Sequence, residues 1–225
     1  GFSDYQRYFI GEDPLNIERH AAVLSNIEFH AGRPWPLDLA LWDLIGKIKD
    51  EPVWNMIGGF SNKIRAYASS GVHRNIPDMV KVARQARELG FPALKIRFGR
   101  PNLEDDLAVI KAIRDDMGDS IELMVDCNQG WRMPWDTATP WSIDHATAVA
   151  LVLESHGVYW MEEPLHRGDY EGMAELRKRV KIRIAGGELT REPYEFRELL
   201  QRGCFDVFQP DAVCTQGITG LAKFA

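Results

Sequence analysis

Residues Ile121 to Asn128 read Ile-Glu-Leu-Met-Val-Asp-Cys-Asn and give the clearest indication of the fold class. Its apolar run has the length of a buried strand, and an acidic and an amide side chain follow directly where that strand ends. Leu103 to Met117 precedes it with apolar residues at helical spacing, and Asp144 to Ser155 follows it in the same pattern. A buried strand between two amphipathic helices indicates a βα repeat around a parallel sheet.

The same alternation extends in both directions from this stretch. We predict strands at about Ile64 to Ser69, Ala93 to Phe98, Ile121 to Asp126, Val158 to Glu162, Arg183 to Gly187 and Asp206 to Pro210. We predict helices at Pro77 to Leu89, Leu103 to Met117, Asp144 to Ser155, Tyr170 to Arg179 and Pro193 to Arg202, with another near Gly217. This succession, without the glycine fingerprint of a dinucleotide-binding sheet, favours an α/β fold of the (β/α)-barrel type. Because eight strands close such a barrel, we expect it to be incomplete in this chain, with about six of eight βα units.

The first part of the chain has a different pattern of apolar residues. From Pro14 to Gly59 the apolar residues recur at helical spacing and no strand candidate interrupts them. The change of pattern near Ser61 predicts two domains. Residues 1–61 are helical, and residues 62–225 form the barrel domain with strands 1 to 6.

Composition restricts the partners and the location. The net charge is −6 and no long basic run offsets it, which argues against nucleic acid or an anionic membrane as a partner and favours a small-molecule ligand. No apolar run is long enough to span a bilayer and the first residues lack a signal-peptide pattern, so we expect a cytoplasmic protein. Cys127, Cys204 and Cys214 lack the close spacing of a zinc site, and we interpret them as reduced packing residues.

Charged and amide side chains recur at the predicted carboxyl ends of successive strands, where a barrel places its active site. They are Lys95 and Arg97, Asp126 and Asn128, Glu162, Glu188 and Asp211. Three converging carboxylates, from Asp126, Glu162 and Glu188, repel one another unless a cation lies among them. All-oxygen ligands favour Mg²⁺ over zinc. Any one of these acids alone is equally consistent with a helix cap or a surface charge, but their recurrence on consecutive strands predicts a metal site.

Several motifs carry a resemblance to a known family. The strings Val125-Asp126-Cys127-Asn128, Trp160-Met161-Glu162-Glu163-Pro164 and Gly186-Gly187-Glu188 resemble the metal-ligand motifs of the mandelate racemase branch of the enolase superfamily. Ala40-Leu41-Trp42-Asp43-Leu44 with Gly46-Lys47 resembles that family's capping-domain helix. The resemblance implies a modified TIM barrel with an α+β capping domain, Mg²⁺ held by Asp126, Glu162 and Glu188, and a homo-oligomer.

One motif departs from the family pattern. The family's strand-two Lys-x-Lys falls on Lys95-Ile96-Arg97, and a guanidinium stays protonated, so it suits holding a carboxylate better than acting as a base. We expect Lys95 and Arg97 to be catalytic and, with Asn128, to contact the substrate. The resemblance makes Asp211 the residue that orients a His base from a seventh strand, expected beyond Ala225. Cys214 stands where the muconate-lactonizing branch has Lys, which argues against that branch.

The resemblance implies Mg²⁺-dependent removal of the proton beside a carboxylate, with an enediolate intermediate. Racemisation needs bases on both faces of the substrate, whereas loss of water from a sugar acid needs only one. We therefore predict an acid-sugar dehydratase, a hydro-lyase that forms a 2-keto-3-deoxy acid. Two alternatives stay open: a racemase or epimerase of a hydroxy acid in the same family, and a non-catalytic barrel homologue.

Overall fold

A computed structural model describes residues 2–224 of the chain. A short 3-10 helix, Phe2–Tyr8, is followed by α1 (Ile17–Ala31), α2 (Trp35–Lys49) and α3 (Val53–Met56). Strands and helices then alternate as β1 (Ala68–Ser69), α4 (Ile76–Glu88), β2 (Ala93–Arg97), α5 (Leu103–Met117), β3 (Glu122–Asp126) and α6 (Ile143–Ser155). The remaining elements are β4 (Val158–Glu162), α7 (Tyr170–Arg179), β5 (Arg183–Gly186), α8 (Pro193–Arg202), β6 (Val207–Phe208) and α9 (Gly217–Ala222).

The strands found within residues 2–224 form one six-stranded sheet in the order β1-β2-β3-β4-β5-β6, and every neighbouring pair is parallel. Because each crossover leads to the adjacent strand with the same hand, the helices cover one face of the sheet. A doubly wound sheet reverses its strand order and carries helices on both faces. The order confirms the predicted α/β fold with βα units arranged as in a (β/α) barrel.

The two outer strands are shorter than predicted. Pairing is confined to Ala68–Ser69 in β1 and to Val207–Phe208 in β6, although the apolar pattern predicted strands of five or six residues at both places. Each outer strand is paired with a single neighbour in the part of the chain that the structure describes. A strand at the edge of a sheet presents unpaired N–H and C=O groups along its open side.

Side chains alternate across the sheet, as expected for a strand. Leu94, Ile96 and Cys127 belong to the main core between the sheet and its helices. A second cluster on the opposite face consists of Ala93, Met124, Trp160 and Ala185, with Tyr67, Tyr159 and Val207 packed against it. Lys95, Asp126 and Glu162 alternate with the main-core residues and lie on this second face. The three side chains therefore point to the same side of the sheet.

The chain divides into two compact units. One contains the sheet and consists of Arg65–Gly187 and Glu198–Gln209. The other consists of the segment that ends at Ile64, Glu188–Arg197 and the segment that begins at Pro210. The domain boundary predicted near Ser61, with residues 1–61 and 62–225 on its two sides, stays a prediction.

The three cysteines are free and buried, in agreement with their prediction as reduced packing residues. Burial raises the pKa of the Cys127 thiol well above its usual value. A protonated thiol in an apolar core behaves as a small hydrophobic group. Among residues 2–224, no helix combines the length and the apolar character that crossing a bilayer requires.

In the unit that contains the N-terminal helices, α9 is tied to α2 by a buried hydrogen-bond relay. The Trp42 indole nitrogen donates to Thr219 Oγ1 at 2.8 Å, and that hydroxyl donates to Asp38 Oδ1 at 2.5 Å. The main-chain N–H of Thr219 donates to Asp38 Oδ2 at 3.0 Å. Asp38 is 1% exposed, so its charge is compensated by these donors rather than by water.

Replacing Asp38 with Ala is expected to lower the free energy of unfolding by about 2–3 kcal/mol, because two buried donors lose a charged acceptor. Asp43→Ala on the same helix provides the matched control, since Asp43 is exposed and its carboxylate pairs with Lys47. Chemical denaturation of both variants measures the difference. Equal stabilities for the two variants would show that the relay contributes little.

Candidate active site

Acidic and basic side chains lie in one row across β2, β3 and β4. The Cα atom of Arg97 pairs in register with that of Asp126, and the Cα atom of Asp126 pairs with that of Glu162. All three residues end their strands, so the carboxyl ends of three parallel strands meet in this row. The side chains of Asp126 and Glu162 are 5% and 1% exposed, which places two acids side by side away from solvent.

Lys95 compensates this pair of acids. Its Nζ donates to Glu162 Oε1 at 2.8 Å and to Oε2 at 2.9 Å, and it lies 3.8 Å from Asp126 Oδ2. The Tyr67 ring lies beneath the ammonium, with its centroid 5.7 Å from Nζ. Arg97 Nη2 is 3.7 Å from Asp126 Oδ2, and the Arg97 side chain is 49% exposed. Lys95, with 13% of its side chain exposed, is thus a partly buried member of the cluster, whereas Arg97 reaches the solvent side.

The protonation tendencies follow from burial and from these neighbours. Burial and then the adjacent Glu162 raise the pKa of Asp126, against the opposing effects of Lys95, Asn128 and Arg97. Burial disfavours the charged Lys95, but Glu162 and then Asp126 outweigh that effect, and the pKa of the Lys95 ammonium is raised. Lys95 therefore serves as a fixed positive charge in this arrangement.

Asn128 joins the ends of β2 and β3. Its main-chain N–H donates to Asp126 Oδ1 at 3.0 Å, and its Nδ2 donates to the carbonyls of Phe98 at 2.8 Å and Asp126 at 3.2 Å. Its φ of 52° lies in the left-handed region, which Asn tolerates better than most residues. The side-chain amide nitrogen of Asn128 holds the Asp126 backbone in place. The predicted contact of Asn128 with the substrate would therefore involve its amide oxygen, and this contact stays a prediction.

The residue after Glu162 is packed against a glycine. Glu163 is 4% exposed and has a φ of 46°, and its carboxylate occupies the space that a Cβ at Gly130 would need. The carbonyl of Glu163 accepts from the N–H of Gln129 at 3.0 Å. These contacts fix the turn after β4 against the start of the β3–α6 loop. Only glycine leaves room for the acid at position 130.

Gln209 is a member of the cluster that the sequence did not indicate. Its Nε2 donates to Glu162 Oε2 at 2.9 Å, so Glu162 accepts from both Lys95 and Gln209. Gln209 follows β6, and its main-chain N–H donates to the carbonyl of Gly186 at 3.0 Å. The only available signal was its position at the end of the sixth strand, directly before Pro210-Asp211.

Two predicted site residues lie in the other unit. Glu188 follows the last residue of β5 by two positions and is partly exposed. Asp211 Oδ1 accepts from the N–H of Val213 at 2.7 Å, and its carbonyl accepts from Thr215 Oγ1 at 2.8 Å. Asp211 thereby stabilises the turn that precedes α9. That Glu188 belongs to one metal site with Asp126 and Glu162 stays a prediction. The catalytic role of Asp211 also stays a prediction.

A cavity of about 760 Å³ lies between the β2–α5 and β3–α6 loops. Its wall includes Asn128 and three aromatic rings, from Trp131, Trp135 and Trp141. The lining includes Cys127 of the main core but not Lys95, Asp126 or Glu162. Its volume is within the range of about 300–1,000 Å³ that is usual for small-molecule sites.

The donor set suits a hard divalent cation. Asp126 and Glu162 offer carboxylate oxygens from neighbouring strands, and burial first and the charge of Glu162 second raise the pKa of Asp126, both of which a bound cation would offset. Within residues 2–224, no group of three or more His, Cys, Asp or Glu side chains has the arrangement that holds a metal ion. The described cluster thus contains two of the three ligands predicted from the sequence, with Lys95 as the neighbouring cation.

The parallel βα sheet with its buried acid pair defines a domain of the (β/α)-barrel class with a charged site at the carboxyl ends of the strands. The chain matches the family described as Enolase C-terminal domain-like over residues 78–225, and it belongs to this family. The resemblance to the mandelate racemase branch of the enolase superfamily is confirmed.

The chain is also similar to named relatives and to solved structures. The chain is 31% identical to the L-talarate/galactarate dehydratase of Salmonella typhimurium over 95% of its own length and 54% of the relative. It is 30% identical to the L-talarate dehydratase of Polaromonas sp. JS666, solved with Mg and L-glucarate, with a TM-score of 0.85 over 98% of this chain and 62% of that one. A racemase from Streptomyces coelicolor with bound magnesium is 28% identical, with a TM-score of 0.85 over 98% of this chain and 66% of that one. The chain spans about half the length of the curated relative, which has 54% of its length covered.

Proposed function

We propose that the protein removes the proton beside the carboxylate of an acid sugar and expels a β-hydroxyl as water, giving a 2-keto-3-deoxy acid. The observation that carries the proposal is the row of Arg97, Asp126 and Glu162 with Lys95 bonded to Glu162. Charged groups buried at the carboxyl ends of barrel strands are characteristic of a catalytic site. The dehydratase names of two relatives, at 31% and 30% identity, agree with this reaction class.

Lys95 and Arg97 are assigned the role of stabilising the negative charge that develops on the substrate. Lys95 is held by two hydrogen bonds to Glu162, so its ammonium is already oriented before the substrate binds. Arg97 is half exposed and contacts Asp126 at 3.7 Å, which leaves its planar guanidinium available to a substrate carboxylate. Positive groups fixed before the reaction stabilise a developing anion without reorganisation at the moment of transfer.

Asp126, Glu162 and Glu188 are assigned as the residues that would hold Mg²⁺. The first two are buried acids on adjacent strands, and the third ends the Gly186-Gly187-Glu188 motif after β5. The bound ion would supply positive charge that stabilises the carboxylate oxygens as the α-proton leaves. Asn128 supports this set because its N–H fixes one oxygen of Asp126.

Removal of the α-proton is assigned to a His base that Asp211 would orient. A single base is enough for dehydration, since it can take the α-proton and return it to the departing hydroxyl as a general acid. Asp211 is exposed and its Oδ1 already accepts from the N–H of Val213, which fixes the direction of the carboxylate. This part of the proposal rests on the family resemblance at Asp211.

Racemisation is the second candidate, because one structural relative is named a racemase. Arg97 favours dehydration over it. A racemase needs on each face of the substrate a group that can both take up and give back a proton, and a guanidinium stays protonated. A racemase would exchange the α-hydrogen of the substrate with solvent and lose no water.

A screen of the full-length gene product tests the proposed reaction. With Mg²⁺ and a library of mono- and diacid sugars, we expect a 2-keto acid from at least one member. Glu188→Gln is expected to remove that activity and to weaken Mg²⁺ binding, whereas Glu198→Gln, an exposed acid paired with Arg202 on α8, is expected to change neither. Full activity of Glu188→Gln would contradict the assignment of Glu188 to the metal.

A further inference from the structure

The side chain of Ser70 takes the place of a main-chain link between β1 and β2. The N–H of Ser70, the residue after β1, donates to the Lys95 carbonyl at 2.9 Å. In a regular parallel pair the next bond would run from the N–H of Arg97 to the main-chain carbonyl of Ser70. The Arg97 N–H donates instead to the Ser70 hydroxyl oxygen at 3.1 Å. The hydroxyl thus binds the last residue of β2.

The carbonyl of Ser70 is engaged in a turn. It accepts from the N–H of Val72 at 2.7 Å and from Arg74 Nη1 at 2.9 Å. Arg74 Nη1 also donates to the Val72 carbonyl at 3.2 Å, which holds the turn closed. The chain therefore leaves the sheet directly after β1, at the level of Arg97. With its carbonyl turned away, Ser70 reaches Arg97 through its hydroxyl.

The end of β2 is held from both sides. On the β3 side, the Cα atom of Arg97 pairs in register with that of Asp126, and the N–H of Phe98 donates to the Asp126 carbonyl at 2.8 Å. On the β1 side the hold is the Ser70 hydroxyl, and Ser70 is 6% exposed, so the bond is shielded from water. The backbone of Arg97 is thereby fixed in position.

The Arg97 side chain is held more loosely than its backbone. Its guanidinium lies 3.7 Å from Asp126 Oδ2, which is longer than a hydrogen bond, and the side chain is 49% exposed. An arginine side chain has many rotamers, and ordering them costs free energy. The direction of the guanidinium therefore depends on how firmly the end of β2 is held.

We propose that Ser70 is a positioning residue that acts through Arg97: its hydroxyl fixes the end of β2 so that the guanidinium meets the substrate carboxylate. The inference rests on the proposed function, which assigns Arg97 to that carboxylate. The main-chain bond from Ser70 to Lys95 does not involve the hydroxyl. Loss of the hydroxyl therefore affects Arg97 and leaves Lys95 and the acids in place.

Ser70→Ala in the full-length gene product removes the hydroxyl and keeps the main-chain bond. We expect kcat/KM for the acid sugar to fall about tenfold, mostly through a higher KM, because a shielded N–H loses its acceptor and the guanidinium loses its alignment. Mg²⁺ affinity, measured by calorimetry, is expected to stay within about twofold of the wild-type value. Steady-state kinetics with the acid sugar found in the substrate screen give KM and kcat separately.

The same substitution in an Arg97→Met background distinguishes positioning from general damage. Arg97→Met alone is expected to lower kcat/KM by about a hundredfold, because charge-assisted hydrogen bonds to the substrate carboxylate are lost. Adding Ser70→Ala is expected to lower it by less than about twofold more, since no guanidinium remains to be aligned. A general loosening of the fold would lower kcat/KM by the same factor in both backgrounds.

Two further variants complete the test. Ser61→Ala is the matched control, because the exposed Ser61 hydroxyl also accepts from a main-chain N–H, that of Lys63 at 3.1 Å; its kcat/KM is expected to equal that of the wild type. Ser70→Cys replaces the oxygen with a weak acceptor of similar shape. If Ser70→Ala fails to fold, Ser70→Cys is compared in both backgrounds, with an expected loss of about threefold beside Arg97 and none beside Met.

The contradicting results are separate for the inference and for the proposed function. A folded Ser70→Ala protein with wild-type kcat/KM, or an equal loss in the Arg97 and Arg97→Met backgrounds, would overturn the positioning role. Wild-type kcat/KM in Arg97→Met would show that Arg97 does not bind the substrate carboxylate, and the role of Ser70 would be wrong with it. A wild-type protein that converts no acid sugar would defeat the proposed function itself.

Discussion

Replacing Glu162 with Gln is expected to reduce turnover by about a thousandfold and to weaken Mg²⁺ binding by about a hundredfold or more. Glu162 is the most buried acid of the row and accepts from Lys95 and Gln209. The amide keeps the shape of the side chain but removes its charge. The Lys95 ammonium then loses its main counter-charge, and a divalent cation loses a ligand, so both measurements change together.

Glu175→Gln provides the control for this variant. Glu175 lies on α7, is 47% exposed and pairs with Arg179 one helical turn later, so the same substitution there is expected to change neither turnover nor Mg²⁺ affinity. Kinetics and calorimetry on both purified proteins give the comparison. Tight Mg²⁺ binding by Glu162→Gln would remove Glu162 from the proposed metal site.

Replacing Lys95 with Met is expected to reduce kcat by about a thousandfold without weakening Mg²⁺ binding. Lys95 donates to both oxygens of Glu162 and lies 3.8 Å from Asp126, so its positive charge opposes a second cation beside the same acids. Removing it takes away the charge that stabilises the developing anion but leaves both carboxylates. In Lys95→Met, kcat is therefore expected to fall while Mg²⁺ affinity is retained, whereas Glu162→Gln is expected to lose both.

Lys111→Met is the matched control, because Lys111 is 63% exposed on α5 and pairs with Asp115. Its turnover and Mg²⁺ affinity are expected to equal those of the wild type. If Lys95→Met lost Mg²⁺ affinity as severely as Glu162→Gln, Lys95 would act by holding the metal ligands in place. Its assignment as the charge that faces the substrate would then be wrong.

The sequence predicted the inner strands and the helices closely because their apolar patterns are continuous. The strand predicted at Ala93 to Phe98 is observed as Ala93–Arg97, and the helix predicted at Leu103 to Met117 is observed with those bounds. The outer strand predicted at Ile64 to Ser69 is observed as Ala68–Ser69. An apolar pattern shows which residues tend to be buried, but the ladder that defines a strand depends on its neighbours.

The site was predictable only in part, for a related reason. Strand ends and motif spacing indicated that Asp126 and Glu162 are neighbours, and the register confirms it. Spacing does not show which side chains span the distance between strands. The bonds from Lys95 and Gln209 to Glu162 depend on side-chain length and on the small residue at Ala185, and these become apparent only in the folded sheet.

The most direct test of the proposed dehydration is to incubate the full-length gene product with Mg²⁺ and an acid-sugar substrate in ²H₂O and to follow substrate and product by NMR. The account predicts a 2-keto-3-deoxy acid that carries one solvent deuterium at C3, while the remaining substrate keeps its hydrogen at C2. Deuterium entering C2 of the remaining substrate, with no keto acid formed, would contradict dehydration and would establish racemisation or epimerisation instead.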